Sequence, residues 1–292
     1  MSKPSLSLDQ QIELLRERGF DPAVPDATLA RFLYAHSYHR ASGYWRYFQV
    51  APQEGDDRFE PGVTLERVRD LYRFDATIRS IAMDGLADVE VAVRARLSHH
   101  LSDGEDGAGR YLSPRTYTAS PSSHGRRMRI DLLTTIASEV TRTRERSVAE
   151  YRDAGASVPV WVAMEVLSFG TVSKMYRLLG DEQARETIAK AFGLHESRRL
   201  DSTLHSLSVL RNVCAHHGRV WNRVVTVKPF VLNRLRQESD SSIYLGTPWG
   251  WLVVLADLVD GLRGENGFST RLFAFVAAHP EWELGLKRPH TR

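Results

Sequence analysis

The sequence is poor in cysteine and in long apolar runs. A single cysteine, Cys214, excludes an intrachain disulfide bond. The longest apolar run, 249–262, is interrupted by Asp257 and Asp260, and no run approaches the roughly 20 apolar residues that a membrane-spanning helix needs. The N-terminus also lacks the apolar core of a signal peptide. Together these absences predict a cytoplasmic protein that does not enter a membrane.

Apolar residues and arginine are what the sequence has in quantity. The 292 residues are 42% hydrophobic, which is enough for a substantial core in one or two domains. The net charge is only +3, yet five of the 39 basic residues are lysine and the other 34 are arginine. Arginine binds phosphate through two parallel hydrogen bonds and stacks on bases. The composition therefore permits a nucleic-acid partner, although an arginine-favouring genome explains it equally well.

Helical periodicity recurs along the chain and predicts an all-α fold. Ser7 and Gln10 have the spacing of a capping box and begin a first helix. Apolar residues at helical spacing then predict further helices at 64–101, 126–152, 197–219, 248–263 and 268–278. Strand patterns are rare: 224–227 is the only tempting strand and is too short to build a sheet around. The proline- and glycine-containing stretch 51–62 is predicted to be a surface loop.

Two stretches outside the central helix have the residue types of an RNA-binding surface. Residues 38–45 combine Tyr, His, Arg and Trp, which is typical either of an RNA clamp or of a packed helix–turn junction. Residues 126–152 are dense in arginine and form either a phosphate-binding face or an ordinary solvated one. Within the long helix, Glu90 and Arg94 are four residues apart and have the spacing of an ion pair.

The central helix carries an unusual concentration of Arg, Asn and His between residues 211 and 223. Residues four, seven and eleven positions apart share one face of a helix. If the helix continues, one face therefore carries Asn212, His216, Arg219 and Arg223. The neighbouring row contains Arg211, the small residues Ala215 and Gly218, and Asn222.

These residue types suit chemistry on a phosphate. Histidine moves protons near neutral pH, and arginine stabilises the extra negative charge of a five-coordinate phosphorus. No Asp or Glu occurs from Arg211 to Arg223, so a carboxylate site for magnesium is not supported there. His216 and His217 would point about 100° apart on a helix and would not easily chelate one zinc ion. A ribonuclease, a face that only binds RNA or a partner, and a structural polar network all remain open.

The stretch 211–223 resembles the signature of Abi-type abortive-infection proteins, the AbiD/AbiF group. Three further stretches fit that family, namely 10–15 with Gly19, 38–45 and 165–170, as do Arg79, Glu90 and Arg94. The resemblance spans roughly residues 6–230, and the stretch 211–223 is its most specific part.

The resemblance implies a helical domain of the HEPN (higher eukaryotes and prokaryotes nucleotide-binding) superfamily, whose nucleases use Arg, four to six residues, then His. It implies Arg211, Asn212 and His216 as the catalytic residues, although His217 also satisfies the spacing. By the same implication the substrate-binding residues are His217, Arg219, Asn222 and Arg223. Such nucleases place two motifs face to face, and this chain has one, so the resemblance implies a homodimer with a composite cleft. Type VI CRISPR effectors share the arrangement, which suggests RNA as substrate or as a noncoding RNA partner.

The predicted organisation has three segments. They are an N-terminal helical segment at 1–62, a HEPN-like helical bundle at 63–228, and a C-terminal helical segment packed on it at 229–292. The predicted function is phage defence by a metal-independent endoribonuclease, which needs no cofactor and uses the ribose 2′-hydroxyl as nucleophile. The alternative is a non-catalytic HEPN module that binds RNA or a partner and senses infection.

Overall fold

Helices make up most of the structure, a computed structural model that describes residues 5–103, 108–118 and 123–289. Residues 123 and 124 are described by their backbone alone. In these residues the all-α prediction is confirmed, since the β structure is limited to one small hairpin and one isolated bridge. The helices are α1 Leu8–Glu17, α2 Asp26–His36, α3 Tyr38–Trp45, α4 Leu65–Leu101, α5 Ser123–Arg142, α6 Arg146–Asp153, α7 Val160–Val166, α8 Phe169–Leu178, α9 Glu182–Ala191, α10 Ser197–Ala215, α11 Pro248–Arg263, α12 Gly267–Ala277 and α13 Pro280–Lys287.

Several helices begin where a side chain caps the free backbone N–H groups of the first turn. The predicted capping box is confirmed, because Ser7 and Gln10 each bond the other's backbone N–H. Thr64 caps α4, so the predicted long helix is confirmed as well. The prediction of a single helix over 126–152 is wrong, because one helix ends at Arg142 and a second begins at Arg146.

The predicted loop at 51–62 is partly wrong, because it contains half of a β-hairpin. Strand β1 (Gln49–Ala51) pairs antiparallel with β2 (Asp56–Phe59). The hairpin is held by packing, since the ring of Phe59 is buried 4.7 Å from the ring of Phe20. Strands of three and four residues are too short to show the alternation by which a strand is predicted.

The long helix α4 is the element on which the rest of the fold packs. Its 37 residues span about 55 Å at 1.5 Å per residue. It contacts α7, α10 and α11 along its length, with a buried row that includes Val89, Val93 and Leu97. A Cβ atom at Gly85 would lie 2.6 Å from the ring of Phe268, so glycine is what allows α12 to approach α4 closely. Helix α10 also packs on α4, where Arg211 lies 3.5 Å from the carboxylate of Glu90.

The C-terminal helices pack on this pair. Helix α11 is buried over most of its length, and the indole N–H of Trp251 donates to the Ser206 hydroxyl of α10 at 2.7 Å. Helix α13 fits against the chain after α10, where the ring of Trp221 occupies the space that a side chain at 285 would need. The three-segment division of the chain stays a prediction. In the part of the chain that the structure describes, no helix combines the length and apolarity needed to cross a membrane.

Candidate functional site at the end of α10

Helix α10 ends at Ala215, four residues earlier than predicted. The predicted helical face that joins Asn212 and His216 to Arg219 and Arg223 is therefore wrong, because the last two lie beyond the helix. Asn212 and His216 remain adjacent across the last turn, where the N–H of His216 donates to the C=O of Asn212 at 3.0 Å.

The helix ends in a Schellman motif that is built around histidine. The N–H of Gly218 donates to the C=O of Val213 at 2.7 Å, and the N–H of His217 donates to the C=O of Cys214 at 3.0 Å. This pattern needs a left-handed residue, and His217 takes that place with φ of +53°. Glycine is the usual residue there because a Cβ atom is strained at positive φ. The sequence gives no local glycine signal for this helix end, since Gly218 comes one residue too late.

Four predicted site residues meet at this helix end and reach solvent. Asn212, His216 and His217 are exposed, and the side chain of Arg211 is one-third exposed. A long contact of 3.5 Å joins the Arg211 guanidinium to the Asn212 amide oxygen. A cation, an amide and two imidazoles thus follow one another at the end of α10, and each of them reaches solvent.

Glu90 of α4 connects this group to the core. Its carboxylate lies 3.5 Å from Arg211 Nε and also pairs with Arg94. Arg94 in turn donates to the backbone carbonyl of Met164 in α7. The Glu90–Arg94 pair predicted from spacing is confirmed, and its link to Arg211 is what the spacing did not reveal. Because one carboxylate serves two guanidinium groups, the site keeps a net positive charge.

Asp75 of α4 holds the chain just after the motif. Its carboxylate is fully buried and accepts from the backbone N–H groups of Val220 at 3.1 Å and Trp221 at 2.7 Å. The other oxygen accepts from the Tyr44 hydroxyl at 2.7 Å and pairs with Arg79. Burial, reinforced by the negative charge of Asp75, raises the pKa of Tyr44 above its ordinary value, so this hydroxyl stays protonated as a donor.

Cys214 lies on the inner side of the same helix end. Its thiol is buried, and burial raises its pKa to about 12. The thiolate, not the thiol, is the nucleophile and the metal ligand. Cys214 is therefore a packing residue at neutral pH. Among the described residues, no group of three or more His, Cys, Asp or Glu side chains has the arrangement to hold a metal ion.

The other three predicted substrate-binding residues make contacts within the folded chain. Arg219 donates to the carbonyl of Gly43, and Arg223 Nε donates to the carbonyl of Arg219 at 2.8 Å. Burial, with Arg219 nearby, lowers the pKa of Arg223. Asn222 is only 3% exposed, and its N–H donates to the carbonyl of Gly285 at 2.8 Å. The structure does not bring Asn222 to the exposed group.

Helix α3 adds a contact that sequence reasoning did not anticipate. Arg40 Nη2 donates to the carbonyl of His217 at 2.6 Å, while its Nε donates to the Tyr72 hydroxyl at 2.8 Å. Tyr44 and Trp45 of the same helix are buried. The stretch 38–45 is therefore a packed junction on its inner side, and on its outer side it supports the left-handed turn. The packed-junction alternative is confirmed for this stretch, and the RNA clamp stays a prediction.

Comparison with known protein families finds one match. A family described as Abi-like protein matches residues 31–222, about two thirds of the chain. The matched region begins in α2 and ends just after the motif, so it contains α3, α4 and α10, which together build the site. No curated protein and no solved structure matches the chain. The chain belongs to the Abi-like protein family, and this membership supports a role in abortive infection, a form of phage defence.

Proposed function

We propose that this protein is a metal-independent endoribonuclease of the HEPN type, acting in phage defence as a homodimer. The observation that carries the proposal is the joint exposure of Arg211, Asn212 and His216 at one helix end, with Arg211 held by the partly buried Glu90. A guanidinium beside an imidazole on an open, positively charged surface is suited to an RNA phosphate.

The reaction is an intramolecular transesterification at phosphorus, in which one phosphoester bond replaces another. The ribose 2′-oxygen forms a bond to the neighbouring phosphorus while the bond from phosphorus to the 5′-oxygen breaks. A base takes the proton of the 2′-hydroxyl, an acid protonates the leaving 5′-oxygen, and the products are a cyclic phosphate and a 5′-hydroxyl. His216 performs one of the proton transfers, Arg211 stabilises the negative charge on the phosphorus oxygens, and Asn212 orients the histidine or the phosphate.

The need for a second copy follows from this chemistry. In an in-line displacement the entering and leaving oxygens lie on opposite sides of the phosphorus, so the base and the acid must also lie on opposite sides. The side chains of His216 and His217 leave one helix end as chain neighbours. A second copy that presents its own His216 across the phosphate supplies the missing group, with the two motifs related by a two-fold axis.

The proposal is tested by incubating labelled RNA with wild-type protein and with His216→Ala in the presence of EDTA. Wild-type protein is expected to cleave RNA and leave 5′-hydroxyl ends, and His216→Ala is expected to lose at least about 100-fold in rate, the scale of a lost general acid or base. Circular dichroism checks that the variant is folded. Cleavage by purified His216→Ala at the wild-type rate would overturn the assignment.

The second candidate is a non-catalytic module that binds RNA or a partner. The observation that favours it is that Arg219, Asn222 and Arg223 are engaged by the chain itself, which leaves fewer groups for a substrate. In that case neither wild-type protein nor any variant cleaves RNA, while Arg211→Ala and His216→Ala change its RNA affinity. The same gel, combined with a binding measurement, separates the two functions.

A further inference from the structure

We infer that the RNA strand flanking the reacting phosphate is single-stranded and lies along a surface formed by α3 and the turn after α10. We call it the α3 surface, and it consists of His39 and Arg40 of α3 together with His36 of α2, Tyr72 of α4, and Tyr47 and Arg219. The inference rests on the proposed function, because it names the form of RNA that reaches Arg211 and His216 and the path it takes.

Charge is the first argument for this path. No Asp or Glu occurs in the stretches 27–53 and 202–237, although both contain several Arg and His residues. The fold joins these two stretches, since Arg40 bonds the carbonyl of His217 and Arg219 bonds that of Gly43. The carboxylate beneath them, Asp75, is fully buried and paired with Arg79. The α3 surface is therefore electropositive and continuous with the candidate catalytic residues, as an RNA backbone requires.

Geometry is the second argument. The ring of His36 lies 5.0 Å from the ring of Tyr72, whose hydroxyl accepts from Arg40 Nε at 2.8 Å. Arg40 then reaches the carbonyl of His217 at 2.6 Å. Aromatic and cationic side chains thus form an unbroken series from α2 to the left-handed turn. His39 stands exposed on α3, one residue before Arg40.

The stacking of these side chains favours unpaired RNA. The Arg40 guanidinium lies 5.4 Å from the centre of the Tyr72 ring, and the Arg219 guanidinium lies 5.2 Å from that of Tyr47. Both cations are partly exposed and lie beside an aromatic ring, so cationic and aromatic surface is offered together to a base. Bases stack on such planes only when they are free of a duplex, since the edges and faces of paired bases are hidden in A-form RNA.

The arginine-rich helix α5 is the competing surface. Arg127 is exposed there, yet Asp131 and Glu139 lie on the same helix, and Glu145 and Glu150 follow it. The positive charge of α5 is therefore interrupted by acids, and its Glu139 carboxylate binds Ser168 and Thr171 at the start of α8. This difference makes α5 the matched control.

The test uses a fluorescent 12-nucleotide single strand with 2′-O-methyl riboses, which lacks the attacking hydroxyl and cannot be cleaved. Anisotropy titrations compare wild-type protein with His39→Ala, with His39→Ala/Arg40→Gln, and with the control Arg127→Gln. The double variant is expected to bind about tenfold more weakly, with a salt dependence reduced by about one phosphate contact. Arg127→Gln is expected to bind like wild type. His39→Ala alters only an exposed side chain and is expected to lower the affinity for this RNA about threefold. This single variant still tests the surface if Arg40→Gln lowers the melting temperature of the double variant.

Cleavage of ordinary RNA separates the α3 surface from the reaction. His39→Ala, which leaves the Arg40 contact with the motif turn intact, is expected to raise the KM for a cleavable 12-nucleotide strand about threefold and to change cleavage of a dinucleotide by less than about 1.5-fold, because a dinucleotide does not reach His39. The inference would be overturned if the double variant bound RNA as tightly as wild type, or if only Arg127→Gln lost affinity. It would also be overturned if wild-type protein bound a duplex of the same length equally well. If wild-type protein cleaves neither substrate but the double variant still binds more weakly, the proposed reaction fails and the RNA-binding surface stands.

Discussion

At the scale of the residue, His217 stands in a backbone conformation that glycine adopts at lower cost. It occupies the left-handed position of the Schellman motif with φ of +53°, and its side chain is exposed rather than packed. Strained residues of this kind are concentrated at functional sites. The strain at His217 is therefore consistent with a side chain retained for contact with a ligand.

His217→Gly is expected to make the protein more stable and less active. Removing the Cβ atom relieves about 1 kcal/mol of strain at positive φ, while the imidazole proposed to contact RNA is lost. Urea unfolding measures the first effect, and the KM for RNA cleavage measures the second. The matched control is His216→Gly, where φ is negative, so glycine is expected to lower stability instead. A loss of stability in His217→Gly would show that the imidazole supports the fold.

The residues of the site were predictable to different degrees. Arg211, Asn212 and His216 are implied by the family resemblance of one short stretch, and in the structure the Arg211 guanidinium lies 3.5 Å from the Asn212 amide oxygen. Their support is not implied by that stretch, because Glu90 lies 121 residues from Arg211 and belongs to another helix. No pattern within a single helix reveals which distant carboxylate it will meet. The local sequence therefore predicts which residues form the exposed group, but it does not predict which distant residue positions them.

At the scale of the element, the ends of helices proved harder to predict than their existence. The long helix α4 was predictable because Thr64 caps it and its apolar spacing continues for ten turns. The end of α10 was not, since the left-handed position is taken by His217 instead of glycine. The helix stops because Asp75 captures the N–H groups of Val220 and Trp221, which are then unavailable for helical bonds.

Asp75→Asn is expected to destabilise the protein by about 3–5 kcal/mol, because Arg79 is left as an unpaired buried charge. Chemical unfolding in urea measures the loss. Asp70→Asn is the control on the same helix, where an exposed carboxylate pairs with Arg73 and its removal is expected to cost less than about 1 kcal/mol. Similar unfolding curves for the two variants would show that the buried network does not hold the turn.

At the scale of the whole molecule, the proposed dimer makes a quantitative prediction about mixed assemblies. If each composite site takes one His216 from each copy, a dimer of one wild-type and one His216→Ala chain contains no complete pair. Its rate is then expected to be far below half that of the wild-type dimer. Tandem tags isolate the mixed dimer, and light scattering confirms twice the chain mass of 33.1 kDa. A mixed dimer at half the wild-type rate would show that each copy acts alone.

The contact between the motif turn and α13 sets an order of events in synthesis. The indole N–H of Trp221 donates to the carbonyl of Trp282 at 2.7 Å, and the N–H of Asn222 donates to the carbonyl of Gly285. These partners leave the ribosome more than 60 residues after His216. A nascent chain that has emerged only as far as the motif therefore lacks the support that completes its turn. The site is assembled only after α13 has also been synthesised, so the motif and its support arise at separate times.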